Sequence, residues 1–336
     1  MKIHLFNPEN DLALASGLEC FTPPKGAVAI SHAGALLPMF WAEKDDQILS
    51  DIAPSPEMEQ YIRRYRLQGT AVSHTEACAS PSPWGWSLCS RRIFRKAGVD
   101  DGLLPDNDPL EKIRILSHRR SSIIINRGLG VSEHLIPVEA SSPEEVREAL
   151  ARFSGKGVIK LPWSSSGRGV IRADQIADQR LDAYVGGMIS RQGSVMVEPL
   201  LDRRRDFAAL FHCANSTVSY RGLSLFATNH AGFYEGNIVL PQRELATELG
   251  IDISHIIKPL EQILSDLVGS TYEGWLGIDM MIHRDGNGRL QIAPCIELNL
   301  RMTMGVAAML AAEKVFAVER VRPMLIKVSP EGVTLR

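Results

Sequence analysis

Two acidic residues near the C-terminal end stand in otherwise apolar runs of sequence. Asp279 lies within GIDMM, and Glu297 lies within ELNLR, two residues before Asn299. Burying a carboxylate without a partner costs several kcal/mol of folding free energy. We therefore expect a cation beside each of these acids. Oxygen ligands of this kind suit Mg²⁺, and in a strand Glu297 and Asn299 share one face. The alternative is a structural ion pair from Glu297 to Arg301 or Arg289.

A loop rich in glycine and serine follows an apolar run that ends in Lys160. It reads SSSGRG over residues 164–169. Glycines allow backbone N–H groups to approach phosphate oxygens, serine hydroxyls add donors, and the lysine supplies positive charge. The sequence contains neither the Walker A pattern nor the dinucleotide-binding fingerprint. The loop is therefore a candidate phosphate-binding flap, or else a hairpin tip built from small residues.

A third segment, VMVEPLL over residues 195–201, predicts a strand that stops at Glu198 and Pro199. Proline lacks an N–H but keeps its carbonyl, so this backbone offers both acceptors and donors at its edge. Such an edge can bind an adenine ring, and Asp206 would then accept a hydrogen bond from a ribose hydroxyl. A plain hinge between two lobes is the alternative.

The composition excludes several function classes. Of 336 residues, 45% are hydrophobic and 23% charged, with 37 Lys and Arg against 39 Asp and Glu. The net charge of −2 offers no polycation to nucleic acid or to an anionic membrane. Five dispersed cysteines without zinc-ligand spacing indicate thiols of a reducing compartment. Polar residues interrupt the N-terminal run before a signal peptide can form, so we expect a cytoplasmic protein.

Three regions are expected to position these residues. Residues 1–87 predict a small open α/β domain, because apolar strands alternate there with helical patterns. The segment Ser80–Gly85, rich in proline and serine, is interpreted as a linker. Residues 88–194 and 195–336 are interpreted as two α+β lobes, because they mix antiparallel hairpins with helices.

Local patterns predict the individual elements. Ser142 and Pro143 mark a helix N-terminus, as a cap followed by proline. The predicted strands cover residues 2–6, 123–125, 158–160, 194–197, 207–211, 223–227, 275–284 and 289–299. The predicted helices cover residues 34–43, 87–97, 256–268 and 305–314.

The turn between the two acidic strands decides whether Asp279 and Glu297 share a face. It reads DGNG over residues 285–288. A loop of even length places the two acids on opposite faces, whereas a loop of odd length places them on one face. Pro294 cannot donate to the ladder and marks a position where a bulge would reset the alternation. We therefore predict an odd-length loop or a bulge near Pro294.

Taken in order, these segments resemble the ATP-grasp superfamily over roughly residues 88–312. The family pattern is a strand bearing a lysine, a glycine-rich flap, a hinge strand ending in Glu, an Asp strand and a terminal E-x-N. Here these are Lys160, residues 164–169, Glu198, Asp279 and the ELN that begins at Glu297. The resemblance implies a fold of mixed α/β and α+β class, in which two α+β lobes enclose ATP behind the small α/β domain.

The resemblance also implies roles for individual residues. Asp279, Glu297 and Asn299 fall where the family holds Mg²⁺, with Mn²⁺ as an alternative ion. The implied ATP-binding residues are Lys160, Ser166, Gly167, Gly169, Glu198, Leu201 and Asp206. Arg301 and the flap residue Arg168 are the expected catalytic cations. The family's second lysine is absent at Ser90–Arg92, where we favour Arg92 over Arg91 as the phosphate contact.

The implied activity is ADP-forming ligation of a small-molecule carboxylate to an amine through an acyl phosphate. Two alternatives use the same residues: a non-catalytic module that senses ATP, and a kinase that acts on a small-molecule hydroxyl. We retain a homodimer as one option for the oligomeric state.

Two further residues are candidate substrate contacts. Arg221 lies in a polar segment over residues 220–237, and Asn7 directly follows the first strand, where α/β layers often bind ligands. The basic runs at 118–120 and 203–205 are interpreted as solvated loops, because no stacking aromatic residues accompany them.

Overall fold

The computed structural model describes residues 1–75, 78–164, 169–228 and 234–336. Within these residues the strands form two four-stranded sheets and one seven-stranded sheet, which follow one another along the chain. The fold is of mixed α/β and α+β class. No helix in the described part of the chain has the length and apolar character needed to span a bilayer.

The N-terminal domain is a parallel sheet with flanking helices. Its elements are β1 (Lys2–Leu5), α1 (Asn10–Ser16), α2 (Lys25–Ala33), β2 (Gln47–Leu49), α3 (Pro56–Tyr65), β3 (Thr70–Val72) and β4 (Ser80–Pro83), with a 3₁₀ turn at Leu37–Phe40. The strand order is β3-β2-β1-β4, and both neighbours of β1 run parallel to it.

Two sequence predictions for this domain are wrong. The segment Ser80–Gly85 is not a linker, because its first four residues form β4. Since β4 is the last strand in the order of the described sheet, its prolines need not donate to a further strand. The helix predicted over 34–43 is also misplaced: α2 covers the apolar run before it and ends at Ala33, with Gly34 as the C-cap. A Cβ at Gly34 would lie 2.3 Å from the Phe6 ring, so only glycine fits this turn.

The middle of the chain contributes helices and the second sheet. Its elements are α4 (Leu88–Lys96), α5 (Asn107–Leu116), α6 (Ser121–Gly128), β5 (Val138–Ala140), α7 (Pro143–Arg152), β6 (Gly157–Lys160), β7 (Val170–Arg172), α8 (Asp178–Gln192) and β8 (Val195–Pro199), with 3₁₀ turns at Asp101–Leu103, Glu133–Leu135 and Ala173–Gln175. The sheet is antiparallel in the order β5-β8-β6-β7. Ser142 caps α7, accepting a hydrogen bond from the Glu145 N–H at 3.2 Å, as predicted.

The structure also corrects one element and two boundaries in this region. The apolar run at 123–125 lies inside α6, where Ile125 is buried and Ile124 exposed, as expected on a helix surface. The boundary proposed at 194/195 divides the second sheet, because β8 pairs with β5 and β6. Residues of α5 and α6 pack into the core of the third sheet, so the first lobe does not begin at residue 88 as a separate packing unit.

The C-terminal part is a large sheet covered on both faces. Its elements are β9 (Asp202–Ala214), β10 (Thr217–Thr228), β11 (Tyr234–Val239), α9 (Gln242–Leu249), α10 (Ser254–Val268), β12 (Gly274–Arg284), β13 (Leu290–Asn299), α11 (Met304–Val315), β14 (Met324–Ser329) and β15 (Gly332–Leu335). The described strands run in the order β13-β12-β9-β10-β11-β14-β15. Leu260 and Leu264 of α10 pack in one core cluster, and Val306 and Ala307 of α11 pack in another.

The hairpin of β12 and β13 has the odd-length loop that the sequence predicts. Arg284 pairs with Leu290, which leaves an odd-length loop of residues 285–289. Further along, Met281 pairs with Ala293 and Asp279 pairs with Glu297, so three residues around Pro294 oppose Met280 alone. The predicted odd loop is therefore confirmed, and a bulge does occur at Pro294, but it adds two residues and so leaves the alternation of faces unchanged. Asp279 and Glu297 lie directly opposite each other on one face.

Candidate active site

A cavity of about 840 Å³ is lined jointly by the second and third sheets. Strand residues of both sheets and residues of the α5–α6 region face it. The polar and charged side chains that line it belong to Arg119, Asn126, Lys160, Arg172, Glu198, Asp202, Arg203, Asp206, Asp279 and Glu297. Residues from the separate motifs of the sequence thus converge on one space, which is large enough for a nucleotide.

Lys160 and Glu198 form a buried ion pair at the wall contributed by the second sheet. Lys160 ends β6 and Glu198 lies on the neighbouring strand β8, with Nζ and Oε2 2.5 Å apart. The second carboxylate oxygen, Oε1 of Glu198, is buried and has no hydrogen-bond partner among the described residues. A buried acceptor without a partner is costly, so this oxygen is available to a donor group of a ligand.

The backbone after Glu198 offers the mixed edge that the sequence predicts. Pro199 has no N–H, and the Leu200 N–H already donates to the Lys156 carbonyl at 3.2 Å. Across the described residues, no partner is seen for the N–H of Leu201, which also lines the cavity. This segment can therefore present one free donor to a planar heterocycle.

Asp206 faces the same cavity from β9. Burial raises the pKa of its carboxyl group, while Arg203, which lies 3.0 Å away, counteracts the shift. The run at 203–205 lies on this strand and not in a loop, contrary to the sequence interpretation.

Asp279 and Glu297 form a pair of acidic groups in the part of the lining that the third sheet contributes. Burial raises the pKa of Asp279, and the negative charge of Glu297 raises it further. Burial likewise raises the pKa of Glu297, against the lowering effect of Arg119. The Asn299 side chain acts in the opposite direction and lowers the pKa of Asp279. The raised pKa values mean that the surrounding positive charges do not fully compensate the two carboxylates. This is the electrostatic condition for binding a cation.

The donor set fits Mg²⁺. Two carboxylates and one amide oxygen are hard ligands, and Mg²⁺ in nucleotide sites uses one or two carboxylates together with phosphate oxygens and water. In the described part of the chain, no three His, Cys, Asp or Glu side chains cluster in the manner of an all-protein metal site. Two carboxylates and an amide leave the other positions around Mg²⁺ to phosphate oxygens and water, so the donor set suits an ion that arrives with a polyphosphate.

Arg119 connects the acidic pair to the base of the flap. Its Nη1 lies 2.7 Å from Oε2 of Glu297, its Nη2 donates to Oγ of Ser164 at 3.2 Å, and its Nε donates to the Leu161 carbonyl at 3.1 Å. The residue is 6% exposed. One guanidinium thus contacts both the segment that directly follows β6, at the base of the flap, and Glu297, the proposed metal ligand.

The sequence interpretation missed Arg119. It assigned residues 118–120 to a solvated loop, but His118 and Arg119 are both buried. Burial, with the nearby arginines as a further cause, lowers the pKa of His118 to about 3, so this residue is a neutral hydrogen-bonding group and not a cation. The sequence has no pattern that distinguishes Arg119 from its other arginines. Its role follows from burial and contacts that only the structure shows.

Arg301 is held by the N-terminal domain. Its Nε and Nη2 donate to the two carboxylate oxygens of Asp11 at 2.9 and 2.7 Å, and its Nη1 donates to the Met302 carbonyl at 3.1 Å. Burial alone would lower the pKa of Arg301, but Asp11 raises it above the usual value, with Glu297 and Asp279 contributing. The guanidinium is therefore a fixed positive charge beside the acidic pair, already engaged on both edges.

Loss of the Asp11 carboxylate is expected to destabilise the fold. Asp11→Asn leaves the buried Arg301 without its partner, and breaking a buried pair costs about 3–5 kcal/mol. The matched control is Asp108→Asn, also in the first turn of a helix, whose exposed pair with Lys112 is worth less than about 1 kcal/mol. Urea unfolding of the two variants measures the difference. Equal free energies of unfolding would contradict a structural role for the Asp11–Arg301 pair.

Six predicted site residues in the described part of the chain do not line this cavity: Asn7, Arg92, Gly169, Arg221, Asn299 and Arg301. Asn7 is buried and hydrogen-bonds the Gly85 backbone in both directions, at 2.9 and 3.2 Å, so it ties β1 to the end of β4 and has no free amide for a substrate. Arg92 lies on α4 and donates to Cys20 Sγ, because the helix directs it away from the cleft. Arg221 lines a different cavity.

The flap predictions are only partly covered by the structure. Ser166, Gly167 and Arg168 lie outside the described residues. Gly169 closes the β6–β7 hairpin, where its carbonyl accepts from the Leu161 N–H at 2.9 Å. Its φ is +70°, and a Cβ there would lie 2.6 Å from Leu161 Cδ1, so this position requires glycine.

No family model and no curated protein sequence matches this chain. Solved structures do match it. An N5-carboxyaminoimidazole synthetase from Staphylococcus aureus, complexed with ADP, is 11% identical, with a TM-score of 0.52 over 97% of this chain and 81% of that one. A biotin carboxylase from Campylobacter jejuni, in complex with β,γ-ATP, is 12% identical, with a TM-score of 0.50 over 99% and 73%.

A third match is the phosphoribosylamine–glycine ligase from Thermotoga maritima. It is 12% identical, with a TM-score of 0.50 over 97% of this chain and 80% of that one. All three similar structures are ATP-grasp enzymes. At this level of identity the likeness concerns the fold, and it extends over nearly the whole chain.

Proposed function

We propose that this chain, which has the ATP-grasp fold, is an ATP- and Mg²⁺-dependent ligase that forms ADP and joins a carboxylate to an amine. The observation that carries the proposal is that the Lys160–Glu198 pair of the second sheet and the paired acids Asp279 and Glu297 of the third sheet line one cavity. The solved structures with ADP and with an ATP analogue, which share the fold, support the choice of nucleotide.

In this proposal the hinge and the flap position ATP. The Leu201 N–H and the free Oε1 of Glu198 face the base, and Asp206 faces the ribose. Lys160 and Arg119 direct positive charge at the phosphates from two sides of the cleft. Asp279, Glu297 and Asn299 would hold Mg²⁺, which neutralises charge on the β- and γ-phosphates when it is bound. The flap around Ser166, Gly167 and Gly169, with Arg168, is proposed to cover the phosphates.

The proposed reaction has two steps, phosphoryl transfer to the carboxylate and attack by the amine. A carboxylate oxygen of the substrate attacks the γ-phosphorus, and the bond to the β-γ bridging oxygen breaks, which releases ADP and leaves an acyl phosphate. The amine nitrogen then attacks the acyl carbon, inorganic phosphate departs, and the nitrogen loses a proton. Arg119 and Arg301 contribute fixed charge near the transferred group, and a closed cleft limits hydrolysis of the acyl phosphate.

Trapping the acyl phosphate tests the proposal. The protein is incubated with ATP, Mg²⁺ and pooled small carboxylates, with hydroxylamine in place of the amine. We expect ADP and phosphate to form only when carboxylates are present, together with a hydroxamate detected by mass spectrometry. A stable phosphorylated alcohol formed from a pool of hydroxyl compounds would indicate the kinase. ATP binding without turnover in any pool would indicate the sensor, although the presence of all three types of metal ligand argues against it.

A further inference from the structure

A second cavity, of about 830 Å³, lies elsewhere on the third sheet. It is lined by the ends of β9 and β12, the start of α9 and the C-terminal half of α11, and it shares no lining residue with the nucleotide cavity. Trp275 lines it and lies four residues before Asp279 on β12. At about 3.3 Å per residue, this places the two sites roughly 13 Å apart along the strand.

Arg221 is directed into this cavity by a β-bulge. Tyr220 pairs with Phe211 and Gly222 pairs with Leu210, so Arg221 is an extra residue that no residue of β9 opposes. The Gln242 side chain secures the bulge, accepting from the Leu223 N–H at 2.6 Å and donating to its carbonyl at 3.1 Å. Bulges commonly redirect a side chain in this way. Among the described residues, no ion pair or hydrogen bond engages the Arg221 guanidinium.

The rest of the lining is apolar apart from His212, Glu313 and Gln242, whose amide is already bonded to the Leu223 backbone. His212 and Trp275 are cross-strand neighbours with ring centroids 4.9 Å apart in an edge-to-face arrangement. Burial lowers the pKa of His212, and the charge of Arg221 lowers it further, so the ring is neutral at pH 7. Leu310 of α11 and Phe316, which directly follows that helix, supply apolar surface to the same lining. An apolar cavity with a few converging polar groups is the usual form of a small-molecule site.

We propose that this cavity binds a small organic monocarboxylate with an apolar body. Arg221 supplies a free guanidinium for the carboxylate, and the aromatic and aliphatic wall takes the body of the ligand. Glu313 also lines the cavity, and no partner for it is seen in the described residues. A second negative charge on the ligand would meet this acid, so phosphates and dicarboxylates fit less well. The proposal is independent of the ligase reaction.

Three probes with the same phenyl body test the site by isothermal titration calorimetry. They are 3-phenylpropionate, 2-phenylsuccinate and phenethylamine. We expect the monoanion to bind most tightly and the amine most weakly. Arg221→Gln should weaken binding of 3-phenylpropionate at least about tenfold, as expected for the loss of hydrogen bonds to a charged group. Glu313→Gln should improve binding of 2-phenylsuccinate. The control Arg243→Gln changes an exposed arginine of α9 that does not line the cavity.

Binding of ADP and Mg²⁺ provides the internal reference. Arg221→Gln should bind the nucleotide like the wild type, because Arg221 does not line the nucleotide cavity. Ala317→Trp, at an exposed lining position, should block the probe and leave the nucleotide site unchanged. The proposal is overturned if 3-phenylpropionate does not bind at millimolar concentrations, if its affinity is unchanged in Arg221→Gln, or if it competes with ADP.

Discussion

Glu297→Gln is expected to reduce ATP turnover by about 10³-fold while the protein remains folded. Glu297 lies directly opposite Asp279, and its carboxylate is 2.7 Å from Arg119. The amide keeps the size of the side chain but loses the charge needed to hold Mg²⁺ beside the phosphates. ADP release at saturating ATP and Mg²⁺ measures the loss, and circular dichroism reports the fold.

The control for this variant is Glu273→Gln. Glu273 is an exposed residue just before β12 and does not line the nucleotide cavity, so the same substitution there should leave turnover unchanged. A large loss of turnover in Glu297→Gln, with the circular dichroism of the folded protein retained, supports the role of a metal ligand; some fall in melting temperature is expected because the buried Arg119 loses its partner. Wild-type turnover in that variant would remove the metal site, and with it most of the case for catalysis.

The shared face of Asp279 and Glu297 could be predicted because it depends on local sterics. An odd loop length and a proline that cannot donate to the ladder both act within a few residues of the strands that they align. The cap at Ser142 was predictable for the same reason. In each case the residues that decide the geometry are neighbours in sequence.

The wrong predictions concern segments whose partners are distant in sequence. Three consecutive isoleucines at 123–125 fit a strand or a helix equally well until the surrounding core selects the helix. The strand β4 forms because β1, at the other end of the domain, provides its pairing edge. Arg301 donates to Asp11, 290 residues away in the sequence, and no local sequence pattern predicts such a contact.

The phosphate cation is the part of the site where sequence and structure disagree most. The family resemblance led us to Arg92, which follows the N-terminal domain along the chain. The structure instead brings Arg119 into the cleft, while Arg92 contacts Cys20. Assigning the phosphate contact to Arg92 or to Arg119 predicts opposite effects of the same substitution. One variant at each position therefore distinguishes the two assignments.

Arg119→Met is expected to lower kcat/KM for ATP by at least about 10²-fold, the effect of removing a charge that stabilises the transferred phosphoryl group. The variant also leaves the buried Glu297 without its closest cation, so its melting temperature should fall and should recover when ADP and Mg²⁺ are added. Arg92→Met, with the same change of side chain, should leave both quantities unchanged. Steady-state kinetics and thermal unfolding measure the two effects.

Arg119→Lys separates the charge of this residue from its geometry. A lysine keeps the positive charge near Glu297, so the melting temperature should stay close to that of the wild type. The arginine contacts Glu297, Ser164 and the Leu161 carbonyl through three different nitrogens of one planar guanidinium. A single ammonium group cannot make all three contacts, so turnover should still fall by about tenfold. If Arg92→Met abolished turnover and Arg119→Met did not, the phosphate contact would lie on α4. In that case the contacts that Arg119 makes with the base of the flap and with Glu297 would have a structural role only.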